Sequence, residues 1–248
     1  MGNDSGTIMI KAILTGHTHG LGAAIAAELL ARGIPVLGIA RGAAPNPPPV
    51  LHQVALDLSD SAALGAWLAG GELAAWLAGN DTILLINNAG IVQPVGPLAM
   101  QDPIAVARAV ALNIAAPLML SAAVAAARPP SAACRILHVS SGAGRGAYPG
   151  WSVYCATKAA LDHHARAVAL DANRDLRVCS LAPGVIDTAM QAEIRAVSLD
   201  QFPLRERFDE MKRTGELTDP ADCAARLVGY LLGERFGAEP VADLRTVP

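Results

Sequence analysis

The feature that most constrains the fold of this chain is a glycine-rich turn that separates a short apolar run from a helical stretch. The apolar run at residues 8–14 leads directly into Thr-Gly-His-Thr-His-Gly-Leu-Gly at 15–22, and a helical pattern then continues to about residue 31. Glycine lets a backbone turn sharply and approach a ligand closely, and the N-terminus of a helix presents N–H groups to anions. A strand, such a turn and a helix in this order predict a dinucleotide-binding α/β fold. The residues expected to contact the dinucleotide in this turn are Gly16, Thr18, His19, Gly20, Leu21 and Gly22.

The rest of the chain repeats this alternation of short apolar runs and longer helical stretches. Further strands are predicted at residues 35–39, 50–56, 83–86, 135–139 and 177–181, with a long helix between the fourth and fifth strands and another helix from 153 to about 171. Parallel strands connected by crossover helices produce this pattern. Because no linker divides the 248 residues, we predict one Rossmann-type α/β domain over residues 8–248. It would hold a doubly wound parallel sheet between two helical layers and follow a flexible tail at 1–7.

Composition excludes several classes of function. The chain is 52% hydrophobic and 17% charged with a formal net charge of −3 and no basic cluster, so we expect a large core and no nucleic-acid partner. The first residues lack the basic and apolar regions of a signal peptide, which predicts a cytoplasmic protein. The four cysteines are widely spaced and the six histidines form no metal-ligand pattern, so we expect reduced thiols and no metal site.

One uncharged stretch, residues 109–127, is long enough to span a bilayer. It is mostly alanine and contains Asn113, Pro117 and Ser121. A helix buried between the sheet and a partner subunit explains this composition better than a membrane span, and we expect no membrane attachment.

A tyrosine and a lysine one helical turn apart indicate acid–base chemistry. Tyr154 and Lys158 share a helix face. The pKa of a free tyrosine is about 10, and a neighbouring ammonium favours the phenolate, so Lys158 is predicted to lower the pKa of Tyr154 toward neutrality. Ser141 can donate a hydrogen bond to the same substrate oxygen. Together these residues predict carbonyl reduction or alcohol oxidation, whereas a coincidental Tyr and Lys on an amphipathic helix is the alternative.

The residue after the second predicted strand indicates which dinucleotide is bound. In dinucleotide folds an acidic residue often binds the adenosine ribose at this place, but here Ala40 is followed by Arg41. A carboxylate repels a 2′-phosphate, whereas a guanidinium binds it with two hydrogen bonds. Arg41 therefore predicts NADP(H) rather than NAD(H), with an ordinary exposed arginine as the alternative. Asp57 and Leu58, after the third strand, are expected to hold the adenine edge.

Motifs along essentially the whole chain resemble the short-chain dehydrogenase/reductase family in order and spacing. They are the glycine turn, Asn-Asn-Ala-Gly at 87–90, Asn113, Ser141, Tyr154 with Lys158, and Pro183-Gly184. The resemblance implies a catalytic set of Asn113, Ser141, Tyr154 and Lys158, in which Asn113 holds a helix kink and a water linked to Lys158, and Lys158 also binds the nicotinamide ribose. It implies further cofactor contacts from Asn88, Ala89, Gly90, Pro183, Gly184, Ile186 and Thr188. It also implies that helices at about 105–127 and 153–170 pair in a homodimer, or in a homotetramer.

Two segments in the second half resemble sepiapterin reductases more closely. These are residues 150–160 and 182–191, and the stretch at 93–97 is similar to bacterial reductases of benzil-type diketones. The resemblance implies an NADPH-dependent reductase of small ketones or vicinal diketones. Trp151 and Met190 are candidate substrate contacts. Asp243 is the nearest match to an aspartate that anchors the pterin in sepiapterin reductases, although the match requires a one-residue shift, and a solvated tail residue is the alternative.

The region at about 185–219 breaks the strand–helix rhythm and follows the sixth strand, which predicts a substrate lid, with a peripheral helical excursion as the alternative. A 3-oxoacyl-thioester reductase shares the catalytic set and is a second reading of the chemistry. Its acidic carrier would need a basic lid, and the region holds only a mild cluster made up of Arg205, Arg207, Lys212 and Arg213. A non-catalytic NADPH-binding regulatory dimer is a third reading, which the complete catalytic set disfavours.

Overall fold

Seven parallel strands form a single sheet, which confirms the predicted Rossmann-type architecture. The computed structural model describes residues 8–171 and 173–247, and the predicted tail at 1–7 lies outside the described residues. The strands are β1 Ile10–Thr15, β2 Val36–Ala40, β3 Leu51–Ala55, β4 Thr82–Asn87, β5 Ala133–Val139, β6 Leu176–Ala182 and β7 Val241–Asp243. Their order across the sheet is β3-β2-β1-β4-β5-β6-β7. The strand order therefore reverses between β1 and β4, the place where open α/β sheets bind ligands.

Helices cover both faces of the sheet. They are α1 Gly20–Ala31, α2 Ser61–Ala69, α3 Glu72–Leu77, α4 Pro103–Val110, α5 Ala116–Ala127, α6 Ser152–Leu170, α7 Ala189–Ala196, α8 Arg205–Thr214 and α9 Pro220–Leu232. Successive strand residues point to opposite faces. Thus Leu14 packs with α1 and α9, whereas the preceding Ile13 packs with α2, α3, α5 and α6. The two hydrophobic cores hold the sheet between two helical layers, as predicted.

The six predicted strands are present within one or two residues of their predicted ends. The sequence analysis missed β7 because three residues are too few for a recognisable apolar run. It also missed α2 and α9, although each is preceded by an aspartate, Asp60 or Asp219, whose side chain accepts hydrogen bonds from the first backbone N–H groups of the helix. An aspartate before a helical stretch is a signal for a helix start, reinforced at α9 by Pro220 in the first helical position.

In the described part of the chain one helical segment, Pro103–Ala127, is long and apolar enough to cross a membrane by length and composition alone. Its second half packs on the sheet, where Leu120 and Val124 are fully buried. The predicted packing of this segment against the sheet is therefore confirmed, and burial of its other face by a partner subunit stays a prediction. All four cysteines are free thiols, as predicted.

Candidate active site

A cleft of about 560 Å³ opens at the carboxyl ends of the strands and collects nearly all the predicted site residues. Its predicted wall residues are Gly16, Thr18, His19, Gly20, Leu21, Gly22, Arg41, Asp57, Leu58, Asn88, Ala89, Gly90, Ser141, Trp151, Tyr154, Lys158, Pro183, Gly184, Ile186, Thr188 and Met190. Asn113 and Asp243 are the two predicted residues that do not line it. The parallel sheet causes this convergence, because every strand ends at the same edge.

The glycine-rich turn has a backbone path that larger residues would block. Gly16 and Gly20 have φ angles of +71° and +56°, which disfavour residues with a Cβ atom. A Cβ at Gly22 would lie 2.0 Å from the carbonyl oxygen of Gly16. His19, at the N-cap of α1, makes no side-chain cap hydrogen bond, so the first N–H groups of this helix are available to an anion at the cleft. The turn therefore fits a dinucleotide pyrophosphate.

The end of β4 is fastened to this turn. The hydroxyl of Thr15 accepts hydrogen bonds from the backbone N–H groups of Asn88 and Ala89, both at 2.9 Å. The side-chain amide of Asn88 donates in return to the carbonyl oxygens of Thr15 at 2.9 Å and Gly16 at 3.3 Å. Asn88 therefore holds two strand ends in register across the switch point, in addition to lining the cleft.

The end of the cleft that is predicted to hold the adenosine carries two arginines and one carboxylate. Arg41 is exposed and lines the cleft, as does Asp57. Hydrogen bonds from Ser59 lower the pKa of Asp57 below its usual value, and the nearby charges of Arg108 and Arg41 act in the same direction. Arg108, on α4, was missed by the sequence analysis. It was missed because no motif marks it and only the packing of α4 brings it to the cleft.

Tyr154 and Lys158 are both buried at the end of the cleft beside Ser141. Their surroundings change the pKa of Tyr154 in the direction opposite to the predicted one. Burial raises the pKa of the Tyr154 phenol to about 12, and a hydrogen bond with the Ser141 side chain offsets part of the rise. The prediction that the pKa of Tyr154 lies near neutrality is therefore wrong for the protein as described, because burial dominates the pKa of the phenol. Lys158 Nζ lies 5.6 Å from the centre of the tyrosine ring and donates to the carbonyl oxygen of Val139 at 2.8 Å. A neutral phenol is suited to donate a proton.

Burial also lowers the pKa of Lys158 to about 8, while the charge of Asp162 acts in the opposite direction. Lys158 is thus a cation below that pH and loses its charge above it. Because the ammonium is only 5% exposed, it is weakly screened by solvent and acts strongly on nearby developing charge.

Asn113 lies in a π-helical turn, residues Ala111–Ala115, between α4 and α5. The resemblance implied a helix kink at this residue, and the turn supplies that irregularity. The side chain accepts a hydrogen bond from Ile91 N at 2.9 Å and donates to Ile91 O at 2.8 Å and to Thr157 Oγ1 at 3.2 Å. Asn113 therefore anchors the segment after β4 next to α6, and its link to Lys158 through water stays a prediction.

Aromatic side chains form the wall of the cleft beyond Tyr154. Trp151 stacks on the fully buried Phe202 with ring centres 4.6 Å apart and contacts Tyr154 edge to face at 5.3 Å. Phe208, on α8, packs with its ring centre 5.5 Å from that of Trp151, and the Tyr148 ring lies 5.7 Å from the same indole. Phe202 and Phe208 were not predicted, since they belong to the irregular region at 185–219 and only the fold brings them to α6.

The segment that follows β7 contributes Arg245 to the cleft, and the predicted Asp243 does not line it. Asp243 ends β7 and its carboxylate accepts hydrogen bonds from Arg245 Nε at 2.9 Å and Nη2 at 2.7 Å. The stem of Arg245 passes over Gly184, which has a φ of +92°. Asp243 is therefore neither a solvated tail residue nor a wall of the cleft, because pairing with β6 turns it away and brings Arg245 in.

The region at 185–219 forms one side of the cleft through α7 and α8. Its two ends are joined by a β-bridge between Ile186 and Thr218. Of the four cations in its mild basic cluster, Arg205 pairs with Asp209, Lys212 with Asp187 and Arg213 with Glu210, while Arg207 lines the cleft. The basic cluster is thus largely neutralised by carboxylates of the protein itself.

Comparisons of sequence and of structure both find short-chain dehydrogenases and reductases. The sequence model of the short chain dehydrogenase family matches residues 11–198. A benzil reductase ((S)-benzoin forming) of Bacillus cereus is 31% identical, over 90% of this chain and 94% of its own. A sepiapterin reductase of Meriones unguiculatus is 34% identical, over 90% of this chain and 92% of its own. The crystal structure of a short-chain dehydrogenase/reductase from Burkholderia vietnamiensis is 52% identical with a TM-score of 0.70, covering 97% of this chain and 99% of that one.

Proposed function

Because this chain belongs to the short-chain dehydrogenase/reductase family, we propose that it is an NADPH-dependent carbonyl reductase acting on small ketones or vicinal diketones. Family membership makes it an oxidoreductase for carbonyl or alcohol groups that uses a nicotinamide cofactor. The observation that carries the proposal is the buried cluster of Ser141, Tyr154 and Lys158 at the end of a cleft whose glycine turn fits a dinucleotide. Asn113 completes the catalytic set by fixing the segment that borders Lys158.

The side chains have distinct parts in the proposed reduction. The glycine turn would hold the pyrophosphate of the dinucleotide and the segment 183–188 would border its nicotinamide, which would supply the hydride in its reduced form. The hydroxyls of Ser141 and Tyr154 donate hydrogen bonds to the carbonyl oxygen, which stabilises the negative charge that develops there. Tyr154 then gives up its proton, and the Lys158 ammonium stabilises the phenolate that is left. The raised pKa of Tyr154 keeps the donor protonated at neutral pH.

Charge at the adenosine end supports NADPH over NADH. Arg41 occupies the position where an acidic residue would select the 2′-hydroxyl, and Arg108 adds a second cation in the same part of the cleft. A guanidinium binds a phosphate group in a bidentate manner. Asp57 lies nearby but is hydrogen-bonded to Ser59.

The aromatic wall supports a substrate with an aryl or other flat apolar group beside the reacting carbonyl. Trp151 and Phe208 face the cleft close to Tyr154, and Met190 and Ile194 of α7 line the same side. We infer that α7 and α8 act as the substrate lid. The neutralised cations of this region give no support to an acidic carrier, so the thioester reductase reading is not favoured by the structure.

An assay with four carbonyl compounds and two cofactors tests this proposal. Purified protein is given benzil, 1-phenyl-1,2-propanedione, sepiapterin or an acetoacetyl thioester, each with NADPH or NADH, and cofactor oxidation is followed. We expect turnover of the aryl diketones with NADPH and a higher KM for NADH. Preferential turnover of the thioester would contradict the substrate assignment, and cofactor binding without any turnover would favour the regulatory reading.

Substitution of Arg41 tests the cofactor assignment separately. In Arg41→Ala the KM for NADPH should rise about tenfold, which corresponds to the ~1.4 kcal/mol of one lost charge-assisted contact, while the KM for NADH changes little. Arg32→Ala is the matched control, because Arg32 pairs with Glu28 and does not line the cleft. Equal changes for both cofactors would show that Arg41 does not read the 2′-phosphate.

A further inference from the structure

A buried carboxylate lies one helical turn beyond Lys158. Asp162 follows Tyr154 and Lys158 on the same face of α6, and it is 1% exposed. Its Oδ1 atom accepts hydrogen bonds from Ser140 Oγ at 2.8 Å and Ser180 Oγ at 2.7 Å. Ser140 follows β5 and directly precedes Ser141, and Ser180 belongs to β6. One carboxylate oxygen thus joins α6 to the ends of two neighbouring strands.

The second oxygen of Asp162 has no hydrogen-bond partner among the described residues. Arg145 Nε is 3.6 Å from it. The backbone of the turn after Ser141 approaches it so closely that a Cβ at Gly144 would lie 2.9 Å from Oδ2 and 3.0 Å from the carbonyl oxygen of Lys158. Removal of a carboxylate from water is costly unless positive charge compensates it. The cations placed to do so are Arg145 and Lys158.

We propose that Asp162 is a positioning residue for the reaction: its carboxylate holds Ser140, and with it Ser141, against α6, and it supplies the negative charge that keeps the buried Lys158 an ammonium. Asp162 does not touch the substrate or cofactor cleft and acts through its neighbours. This inference uses the proposed reductase activity as one of its readouts.

The charges around Lys158 support this role. Burial lowers the pKa of Lys158 to about 8 and Asp162 is the group that raises it. Tyr154 is neutral in this range, and the buried His138 on β5 has its pKa lowered to about 3 by burial, so it is neutral as well. Asp162 is therefore the negative charge that acts on Lys158, and Arg145 is the cation in ion-pair contact with its carboxylate.

Loss of the Asp162 charge should lower the pH at which activity is lost on the alkaline side. Reduction needs the Lys158 ammonium, so the rate falls as pH rises through the pKa of this group. In Asp162→Asn the amide still accepts the serine hydroxyls through Oδ1, but the charge is lost. We expect the alkaline fall in kcat to move down by about one pH unit or more, since a neighbouring opposite charge shifts a pKa by about that much. The measurement is kcat for 1-phenyl-1,2-propanedione with saturating NADPH between pH 5.5 and 9.5.

Two further variants separate charge from structural support. Ser180→Ala removes a hydrogen bond to Asp162 but keeps the carboxylate, so the alkaline fall should stay where it is in wild type even if thermal stability drops. Arg145→Gln removes the cation that faces Oδ2, which should move the fall to higher pH by a few tenths of a unit. Arg145 has a one-third exposed side chain, so this variant is expected to fold even if Asp162→Asn does not.

A measurement without turnover makes the inference independent of the proposed function. The pKa of Lys158 is obtained from the pH dependence of its competitive acetylation, read by peptide mass spectrometry, in wild type and in each variant. An unchanged pKa in both Asp162→Asn and Arg145→Gln would overturn the role of Asp162. Inactivity of the wild type toward every carbonyl substrate would instead contradict the proposed function and leave the acetylation result to decide on Asp162.

Discussion

At the scale of single residues, burial decides the chemistry of Tyr154. A tyrosine and a lysine at i and i+4 predict a lowered tyrosine pKa when only their spacing is known. In the fold the phenol is 8% exposed, and the loss of water raises its pKa instead. The phenol is therefore protonated at neutral pH, which is the state that the proposed reduction requires of its proton donor.

Removal of the phenol hydroxyl should abolish most turnover. In Tyr154→Phe we expect kcat to fall about 10²- to 10⁴-fold, the usual contribution of a general acid, while NADPH affinity measured by fluorescence changes little. The ring and its contact with Trp151 are retained, so the melting temperature should remain close to that of wild type. Tyr230→Phe, outside this cleft, is the control for loss of a tyrosine hydroxyl. Near-normal reductase activity of Tyr154→Phe would rule out the proposed mechanism.

At the scale of elements, the contact between the glycine turn and α1 sets the shape of the cofactor end. Gly22 belongs to the first turn of α1, and it lies against the carbonyl oxygen of Gly16 and the amide of Asn88. Asn88 in turn fastens β4 to the same turn. The helix can therefore begin right after the short turn that follows β1 only if residue 22 has no side chain.

The same substitution at two helical glycines should have opposite effects. In Gly22→Ala the new Cβ would lie 2.0 Å from Gly16 O and 2.5 Å from Asn88 Nδ2, so we expect a loss of about 1–3 kcal/mol of stability and at least tenfold weaker NADPH binding. Gly229→Ala is the matched control, because that position on α9 is exposed and has open space around its Cβ. It should gain about 0.5–1 kcal/mol. Urea unfolding at neutral pH measures both, and equal effects would contradict the packing argument.

At the scale of the whole molecule, one seven-stranded sheet collects a site from segments spread between residues 15 and 245. The region at 185–219 closes one side and is joined at its base by the bridge from Ile186 to Thr218. Association into a homodimer through α4, α5 and α6 stays a prediction, as does the cytoplasmic location.

The fold should lose stability in mild acid because of one buried histidine. His138 is fully buried between Asn87 and His164, and burial lowers its pKa to about 3. The unfolded chain, with a histidine pKa of about 6.5, binds the proton first, so stability is intact above that pH and falls as the pH is lowered toward 3. Between pH 6.5 and 5 this amounts to about 2 kcal/mol.

Urea unfolding at pH 7 and pH 5, at one protein concentration, measures this loss. His138→Gln removes the titrating ring, so its unfolding free energy should depend less on pH than that of wild type, whatever its absolute stability. His163→Gln changes an exposed histidine on α6 and should keep the wild-type dependence. Equal pH dependence in all three proteins would show that another group is responsible.

The amino-acid pattern alone was enough to predict the fold class, six of the seven strands and most of the residues that line the cleft. It could do so because these features depend on local patterns. Apolar runs mark strands, glycines mark the turn, and in a parallel sheet the residues that follow each strand must meet at one edge. Twenty-one of the predicted site residues reach the cleft for this reason.

Features that depend on contacts between distant segments could be known only from the folded chain. Pairing of β7 with β6 placed Arg245 rather than Asp243 at the cleft. Packing of α8 brought Phe208 to Trp151, packing of α4 brought Arg108 to the adenosine end, and burial raised the pKa of Tyr154 and enclosed Asp162. Burial and long-range charge are properties of the surroundings of a residue, and those surroundings exist only once the chain is folded.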